Sequence, residues 1–536
     1  MIRKLTMLLL LLVTINSYAQ EDAWVYFTDK PNESAALSNP ISILTQKALD
    51  RKLHRGIALD SRDVPVHEPY IADLKMQTGI TVMAKSKWFN AVHIRGTQAD
   101  ISALSSLAYV DSIDFANTNL SDLGSRVETV QDKMEVENES IVFTYGDTQN
   151  QVEMINADNL HFNDFTGEGV TIAVMDSGFP NVNTMSAFQR LRNNGNLLDG
   201  YDFVNRNADV YANAASSHGT RVLSTMAAYI QDEYVGTAPD ASYYLFLTED
   251  VGSENPVEES YWVEAAERAD SLGVDMINTS LGYTEYDNAN YNYTPAEMNG
   301  QTAFITKGAS IAAEKGILVV VSAGNSGASS WQTVGAPADS PNVLSVGGVD
   351  ANGNYVAFSS QGGAAQVGYQ KPDVVARAGL AYVIDENNNI TQNNGTSFSA
   401  PILCGGIASL WQSIPDVSPV EVMEFVRQSA SQYTMPDDFL GYGIPDLALV
   451  RTLGTEDETI ESFDFYPNPV ENQLNFDLTS DTEFKVSLFN YLGQEVLSTK
   501  VSVTSNSINF EQLSSGVYIM KLLSVSQSRT LKIIKQ

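Results

Sequence analysis

The sequence predicts an α/β protein whose central part is a parallel sheet flanked by helices, with an α+β unit before it and an all-β module after it. Three patterns carry that prediction. Across residues 145–453, short apolar runs rich in β-branched residues alternate with helical stretches. Runs of that kind suit strands buried on both faces of a sheet, and their alternation with helices defines the layered class. Before them, residues 20–120 mix strand and helix periods, and after them, residues 464–536 hold only short alternating strands between turn signals.

Each element follows in chain order. Arg3 and Lys4, an apolar run over residues 7–13 and the small residues Ser17 and Ala19 read as a secretory signal over residues 1–19, cut before Gln20. The first unit predicts a strand at 23–27, a helix at 41–51, strand material at 84–95, a helix at 97–106 and a strand at 109–115. Residues 121–144 are polar and acidic and read as an exposed linker. In the central part the clearest strands fall at 170–175, 274–278, 317–321 and 343–346, and the clearest helices at 257–272 and 302–315. A second acidic linker spans 454–463. Five strands are expected beyond it, at 473–478, 484–489, 507–510, 517–523 and 530–534.

Composition narrows the partners. The chain carries 31 basic and 65 acidic residues, a net charge of −34. That excludes nucleic acid and anionic membrane as main partners and suits a soluble exported protein. No stretch after the signal has 18 uninterrupted apolar residues, so no membrane insertion is expected. Cys404 is the single cysteine, so no intramolecular disulfide can form, and its apolar surroundings mark it as a core residue. The surplus of carboxylates also leaves structural calcium open.

Three segments at predicted sheet edges carry chemistry. Val174-Met175-Asp176-Ser177-Gly178 puts a carboxylate where a buried strand ends. Ser217-His218-Gly219-Thr220 puts an imidazole at a helix start, and Asn394-Gly395-Thr396-Ser397 puts a hydroxyl at the start of a strongly apolar helix. In open α/β sheets, sites form beyond the carboxyl ends of the strands. A serine hydroxyl needs a base to accept its proton, an imidazole can be that base near neutral pH, and a carboxylate can hold its tautomer. A fourth segment, Ser322-Ala323-Gly324-Asn325, offers a side-chain amide that could stabilise an oxyanion beside the backbone N–H of Ser397. Taken singly, each motif reads as a turn or a cap; their joint order and placement point to a site. His54, His67, His93 and His161 have no such company and read as surface or fold positions, and Asp373 and Asp446 as turn or cap carboxylates.

Together, Asp176-Ser177-Gly178, His218-Gly219-Thr220, Ser322-Ala323-Gly324-Asn325 and Gly395-Thr396-Ser397-Phe398-Ser399-Ala400-Pro401 resemble the subtilisin-like serine peptidases, and so does the order Asp, His, Ser. Segments 236–241, 277–282, 371–374 and 441–443 extend the resemblance. It implies an endopeptidase that cleaves proteins or peptides through an acyl-enzyme on Ser397. It further implies that Ser280, Leu281 and Gly282 bind substrate and line the S1 pocket, with Gly324 and Gly335 as its opposite wall and base, leaving room for a large apolar side chain. No cofactor is required for that chemistry. Two departures stand out. Arg221-Val222-Leu223-Ser224 replaces the family's His-Val-Ala-Gly, and residues 229–234 lack the asparagines and glycine of the family's calcium loop. An insertion over residues 283–302, rich in Tyr, Asn and Asp, is expected to shape the cleft, hold a cation or form a solvated loop.

By position, residues 20–120 correspond to the propeptide of such enzymes, an inhibitor of its own catalytic domain that is cut free in the linker. Phe465-Tyr466-Pro467-Asn468-Pro469, Leu488-Phe489-Asn490-Tyr491-Leu492-Gly493 and the final Leu531-Lys532-Ile533-Ile534-Lys535-Gln536 resemble the C-terminal sorting domain of type IX secretion cargo in Gram-negative bacteria. That resemblance implies the type IX machinery as a partner and passage through the periplasm to the exterior or the outer cell surface. Two rivals remain: a catalytically silent subtilisin fold used for binding or adhesion, and a sedolisin-type enzyme with a glutamate base active at acid pH.

Overall fold

The structure, a computed structural model, describes residues 20–120, 143–212, 215–363, 365–366, 368–454, 464–477, 484–489, 495–502, 504–514, 516–523 and 528–535. The expected signal, residues 121–142 of the first linker and residues 455–463 of the second lie outside them. The chain divides into two compact units, Met1–Gly454 and Thr455–Gln536.

A seven-stranded sheet organises the first unit. Its order is Val374–Arg377, Leu344–Val349, Leu318–Ser322, Met276–Thr279, Thr171–Asp176, Ser242–Leu247, Leu197–Asp202, and every pairing is parallel. Thr171–Asp176, Leu318–Ser322, Leu344–Val349 and Val374–Arg377 are buried at every position, as their unbroken apolar runs require. Side chains alternate between two cores. Val174, Leu245, Val320 and Val346 face the helices His218–Ala227 and Thr396–Ser413. Ala173, Met175, Phe246, Val319 and Val321 face the helices Val257–Leu272 and Phe304–Glu314. The predicted elements recur within a few residues of their expected ends.

The N-terminal layer is a four-stranded antiparallel sheet in the order Thr81–Ser86, Ala91–Thr97, Gln20–Phe27, Val110–Phe115. The stretch read as one strand over 84–95 is therefore a hairpin of two. Between the first strand and Thr81 the chain runs out to a helix, Gln46–His54, and a short 3₁₀ turn, Ser61–Asp63. Trp24 stacks on Phe304 of the central layer with ring centroids 4.7 Å apart. Its indole N–H donates to Ser260 Oγ at 2.9 Å.

Among its described residues the second unit has seven strands rather than the five expected. Asp464–Tyr466, Gln473–Asp477 and Ser507–Asn509 form one sheet; Glu495–Val501, Phe484–Phe489, Gly516–Leu523 and Ser528–Lys535 form the other. Leu474, Phe476 and Ile508 of the first meet Val486, Leu488, Val501, Met520 and Ile533 of the second in one core, so the expected sandwich holds. The missed strands are an element of three residues and a sheet edge. Glu495–Val501 keeps one face wet, with Val496 39 % exposed, so its apolar pattern is weak.

Cys404 is fully buried in the helix Thr396–Ser413, and burial pushes its thiol far above the ordinary cysteine range. The native protein should leave a thiol reagent unconsumed, and denaturation should release one reactive thiol per chain; stoichiometric labelling of the folded protein would contradict this packing.

Candidate active site

The site forms at the carboxyl end of the parallel sheet. Thr171–Asp176 ends on Asp176, which is 0 % exposed. Asp176 Oδ1 accepts from the Ser177 backbone N–H at 2.8 Å and pairs with His218 Nδ1 at 2.8 Å. His218 opens its helix directly over this turn, an approach that needs Gly219. A Cβ there would stand 2.6 Å from the Gly178 carbonyl oxygen and 3.0 Å from Asp176 Cβ. The other face of the imidazole looks outward, with the side chain 32 % exposed.

Ser397 sits in the first turn of the Thr396–Ser413 helix, with Gly395 as its N-cap at φ 149°. Pro401 lies four residues further on, inside the helix. Proline has no N–H, so the Ser397 carbonyl lacks its helical partner. The Ser280 hydroxyl replaces it, donating to the Ser397 carbonyl at 2.9 Å. In return the Ser397 hydroxyl donates to the Ser280 carbonyl at 3.3 Å. The His218 ring centroid lies 6.0 Å from that of Phe398, the residue after Ser397.

Asn325 follows the strand Leu318–Ser322. Its Oδ1 accepts from the Thr396 N–H at 2.9 Å, which leaves its amide nitrogen turned away from that bond. Nδ2 lies 3.6 Å from where a Cβ on Gly395 would stand. The remaining predicted residues also converge. Tyr283, beside Gly282, bridges to Ala336, beside Gly335, with N–H to carbonyl bonds of 2.9 and 3.3 Å. A Cβ on Gly324 would lie 4.0 Å from Gly335 N. Leu281 is half-buried next to this junction.

Electrostatics tune the imidazole. Burial, the largest single influence, disfavours the imidazolium; the Asp176 carboxylate, with help from Glu249, more than offsets it, and the His218 pKa stands above the ordinary histidine value. Two residues with no assigned role in the sequence motifs also act on it: Glu249 favours the charged form and Arg221 disfavours it. Arg221, seen in the sequence only as a bulky replacement, pairs with Glu386 Oε2 at 2.9 Å and donates to Asn393 Oδ1 at 3.2 Å. It thus ties the His218 helix to the hairpin Ala381–Ile384 and Ile390–Asn393 that leads into Ser397. Glu249 comes just after the strand Ser242–Leu247 and accepts from Tyr283 Oη at 2.7 Å. Burial, with Glu254 nearby, raises its carboxyl above the usual glutamate range. Its signal was available: an acidic residue just beyond the carboxyl end of a buried strand.

Glu249, Glu254 and Glu258 are the one group of potential cation ligands among the described residues, with ligand atoms within 4.8 Å of one another. Glu258 is already occupied as an acceptor, from Asp250 N at 2.7 Å and Asn255 N at 2.9 Å. The segment where the family's calcium loop was sought is a tight hairpin, Tyr229–Ile230 against Tyr234–Val235, whose Glu233 carbonyl is taken by Asp147 N at 2.9 Å. The Arg190 guanidinium, paired with Asp240 at 2.8 Å, lies 5.1 Å from the Tyr229 ring of this hairpin. The 283–302 insertion is not a solvated loop. Tyr283, Tyr286, Tyr291 and Met298 are buried, and Tyr286 and Tyr293 donate to Glu259 at 2.5 and 2.8 Å. His93 and His161 are buried fold positions, and Asp373 is a buried partner of Lys371 and Arg427.

Comparison with known proteins identifies the family. A layered α/β fold with these groups at its strand ends defines a serine peptidase class. Residues 167–443 match the subtilase family, and the chain belongs to it. Residues 22–134 match the Peptidase S8 propeptide domain of Bacteroidota, and residues 464–536 match the secretion system C-terminal sorting domain. Subtilisin DY of Bacillus licheniformis is 30 % identical over 290 residues, 54 % of this chain and 92 % of that protein. Subtilisin E of Bacillus subtilis (strain 168) is 31 % identical over 282 residues, 52 % of this chain and 65 % of that protein. Subtilisin of Bacillus pumilus is 30 % identical over 295 residues, 55 % of this chain and 94 % of that protein. The protein is a subtilisin-like serine peptidase with a sorting tail for export. No helix among the described residues is long and apolar enough to cross a membrane.

Two measurements probe the site. The acid limb of kcat/KM against pH should lie above about 6.5, because the base must be neutral and its pKa is raised. Arg221→Gln should move that limb up, and Glu386→Gln should move it down by leaving the Arg221 cation without its anion; shifts in the same direction would refute the electrostatic reading. Ser280→Ala leaves the Ser397 carbonyl without a donor in a buried place and should lower kcat about 10-fold with little change in KM, whereas an unchanged kcat would show the bond to be idle.

Proposed function

We propose that Asp176, His218 and Ser397 are the catalytic triad of a secreted endopeptidase, with Asn325 in its oxyanion hole. The observation that carries this reading is the 2.8 Å bond between His218 Nδ1 and an Asp176 carboxylate with no exposed surface. That bond fixes the tautomer with the proton on Nδ1 and turns Nε2 to the open side as the base. Ser397 Oγ leaves the Ser280 carbonyl, gives its proton to Nε2 and attacks the peptide carbonyl. Such hydroxyl-to-base contacts often tighten only when substrate is bound. The oxyanion receives Asn325 Nδ2 and the Ser397 N–H at the helix start. His218 then protonates the leaving amine, and water resolves the acyl-enzyme by the same route in reverse. No cofactor enters these steps.

Ser280, Leu281 and Gly282 take the substrate backbone along one edge, and Gly324 and Gly335 close the S1 pocket without side chains to fill it. A large apolar residue fits such a pocket. The precursor comprises a signal over 1–19, a propeptide over 20–120, a linker over 121–144 where the enzyme cuts itself, a peptidase domain over 145–453 and a sorting domain over 464–536 beyond a second linker at 454–463. The type IX machinery recognises the last of these after passage through the periplasm, and the substrates are proteins or peptides.

A fluorophosphonate probe tests the triad. The processed protein should label, Ser397→Ala should neither label nor trim its own N-terminus in a protease-free host, and Asn325→Ala should lose about 10²–10³ in kcat, a magnitude established on subtilisin itself. Normal trimming of Ser397→Ala would sink the self-processing step, and equal labelling would sink the nucleophile.

A further inference from the structure

The N-terminal layer grips the catalytic layer in two separate places. The first is the sheet face. There Trp24 meets Phe304, and Glu267 accepts from Ser86 Oγ at 2.5 Å and from the backbone N–H groups of Lys87 and Trp88 at 2.9 Å each. The second is built by the excursion between the first two strands, from Thr45 to Asp63, and lies at the carboxyl ends of the helices Val257–Leu272 and Phe304–Glu314.

Helix carboxyl ends present unpaired carbonyls and partial negative charge, which cations complement. The helix Gln46–His54 and the Arg55 that caps it supply those cations. Arg51 donates to the Val274 carbonyl at 2.7 Å and to Asp270 Oδ1 at 2.5 Å. Lys52 Nζ reaches Asp270 Oδ1 at 2.7 Å and Asp63 Oδ1 at 3.1 Å. Arg55 donates to the Gly316 carbonyl and pairs with Asp275 Oδ1 at 3.0 Å. The catalytic layer answers with Lys315, which reaches Asp60 at 2.9 Å and Asp63 at 3.0 Å. The side chains of Arg51, Lys52, Asp63, Asp270 and Lys315 are no more than 3 % exposed. Shape agrees with charge. A Cβ on Gly273, just past the first helix, would lie 2.6 Å from Ala48 N, and one on Gly316, just past the second, 2.3 Å from Ile57 Cδ1.

Both helices lead directly into strands, Met276–Thr279 and Leu318–Ser322, so this contact lies at the amino ends of the strands. The catalytic groups lie at the opposite ends. Nothing in the second grip touches Asp176, His218 or Ser397, so substrate in the cleft cannot compete with it directly.

We propose that the carboxyl ends of these two helices are a dedicated docking site for the cationic segment 45–63, and that this remote latch sets how long the cut propeptide stays bound and the enzyme silent. The proposal rests on the reading of residues 20–120 as a propeptide released by cleavage in the linker. A buried ion network of this kind is sensitive to the loss of one member. Removing Asp270 leaves Arg51 and Lys52 buried without their main anion, which is far more disruptive than breaking an exposed pair.

The test follows activation of the purified full-length precursor. The cut between propeptide and enzyme is read on a denaturing gel, the survival of their complex by size exclusion, and the appearance of activity with a chromogenic peptide. Asp270→Asn should leave the cut unchanged but speed loss of the complex and onset of activity on the order of 100-fold. Arg55→Gln, at the rim of the network, should do the same about 10-fold and decides the matter if Asp270→Asn does not fold. The kcat/KM of both matured enzymes should equal that of the wild type. Cutting followed by complex lifetimes equal to wild type in Arg55→Gln would overturn the latch alone. A wild-type precursor that labels with the fluorophosphonate but is never cut would overturn the propeptide reading and the latch with it.

Discussion

A carboxylate sealed from water governs this molecule. Asp176 has no exposed surface, and an isolated buried carboxylate is costly. It is tolerable because Ser177 N–H and the His218 imidazole both donate to one of its oxygens. The fold supplies those donors by ending a fully buried strand on Asp176 and starting a helix on His218 immediately above it. Parallel strands force this arrangement, since only a crossover can return the chain to the same edge of the sheet. Gly219 then lets the two backbones approach to a distance any other residue would forbid.

The Ser397 side of the cleft answers a different problem. The helix carrying Ser397 is apolar along nearly its whole length and is interrupted by Pro401. That proline leaves one carbonyl without its helical partner, and the carbonyl belongs to Ser397. Ser280, at the end of the neighbouring strand, satisfies it and receives the Ser397 hydroxyl in exchange. A helix defect therefore becomes the joint between the substrate-binding edge and the nucleophile. Asn325 is fixed by the same helix start, through Thr396, so the elements of the cleft share one reference point.

How much of this the sequence disclosed depends on where the information lies. Motifs were legible because strand ends and helix starts restrict residue type: Asp176, His218, Asn325 and Ser397 each sit beside a glycine or small residue that the backbone requires. The main strands were legible because burial on both faces leaves only apolar residues. Pairings across long stretches of sequence were not. Arg221 with Glu386, Glu249 with Tyr283 and Arg51 with Asp270 join residues whose local context gives no sign of a partner. The 283–302 insertion misled for a related reason. Its Tyr, Asn and Asp content reads as loop, yet the buried Glu259 draws two of its tyrosines inward as hydrogen-bond donors.

The helix Val257–Leu272 shows why the N-terminal layer matters to the catalytic one. Beyond Glu258, which the backbone N–H groups of Asp250 and Asn255 satisfy, it buries Glu259, Glu267 and Asp270, three further carboxylates that a lone amphipathic helix would leave in water. Tyr286 and Tyr293 satisfy the first, and the N-terminal layer satisfies the other two. Its helix partner, Phe304–Glu314, is held at its end by the same layer through Arg55 and Arg62. These two helices feed the strands Met276–Thr279 and Leu318–Ser322, and those strands lead straight into Ser280 and Asn325. Parallel pairing of distant segments is slow because its contacts are reached only after long loops have closed. A layer that contacts both helices from the face and from the end supplies long-range contacts of this kind outside the strands themselves. The contacts proposed to hold the cut propeptide therefore also bear on the half of the cleft that neither Asp176 nor His218 provides.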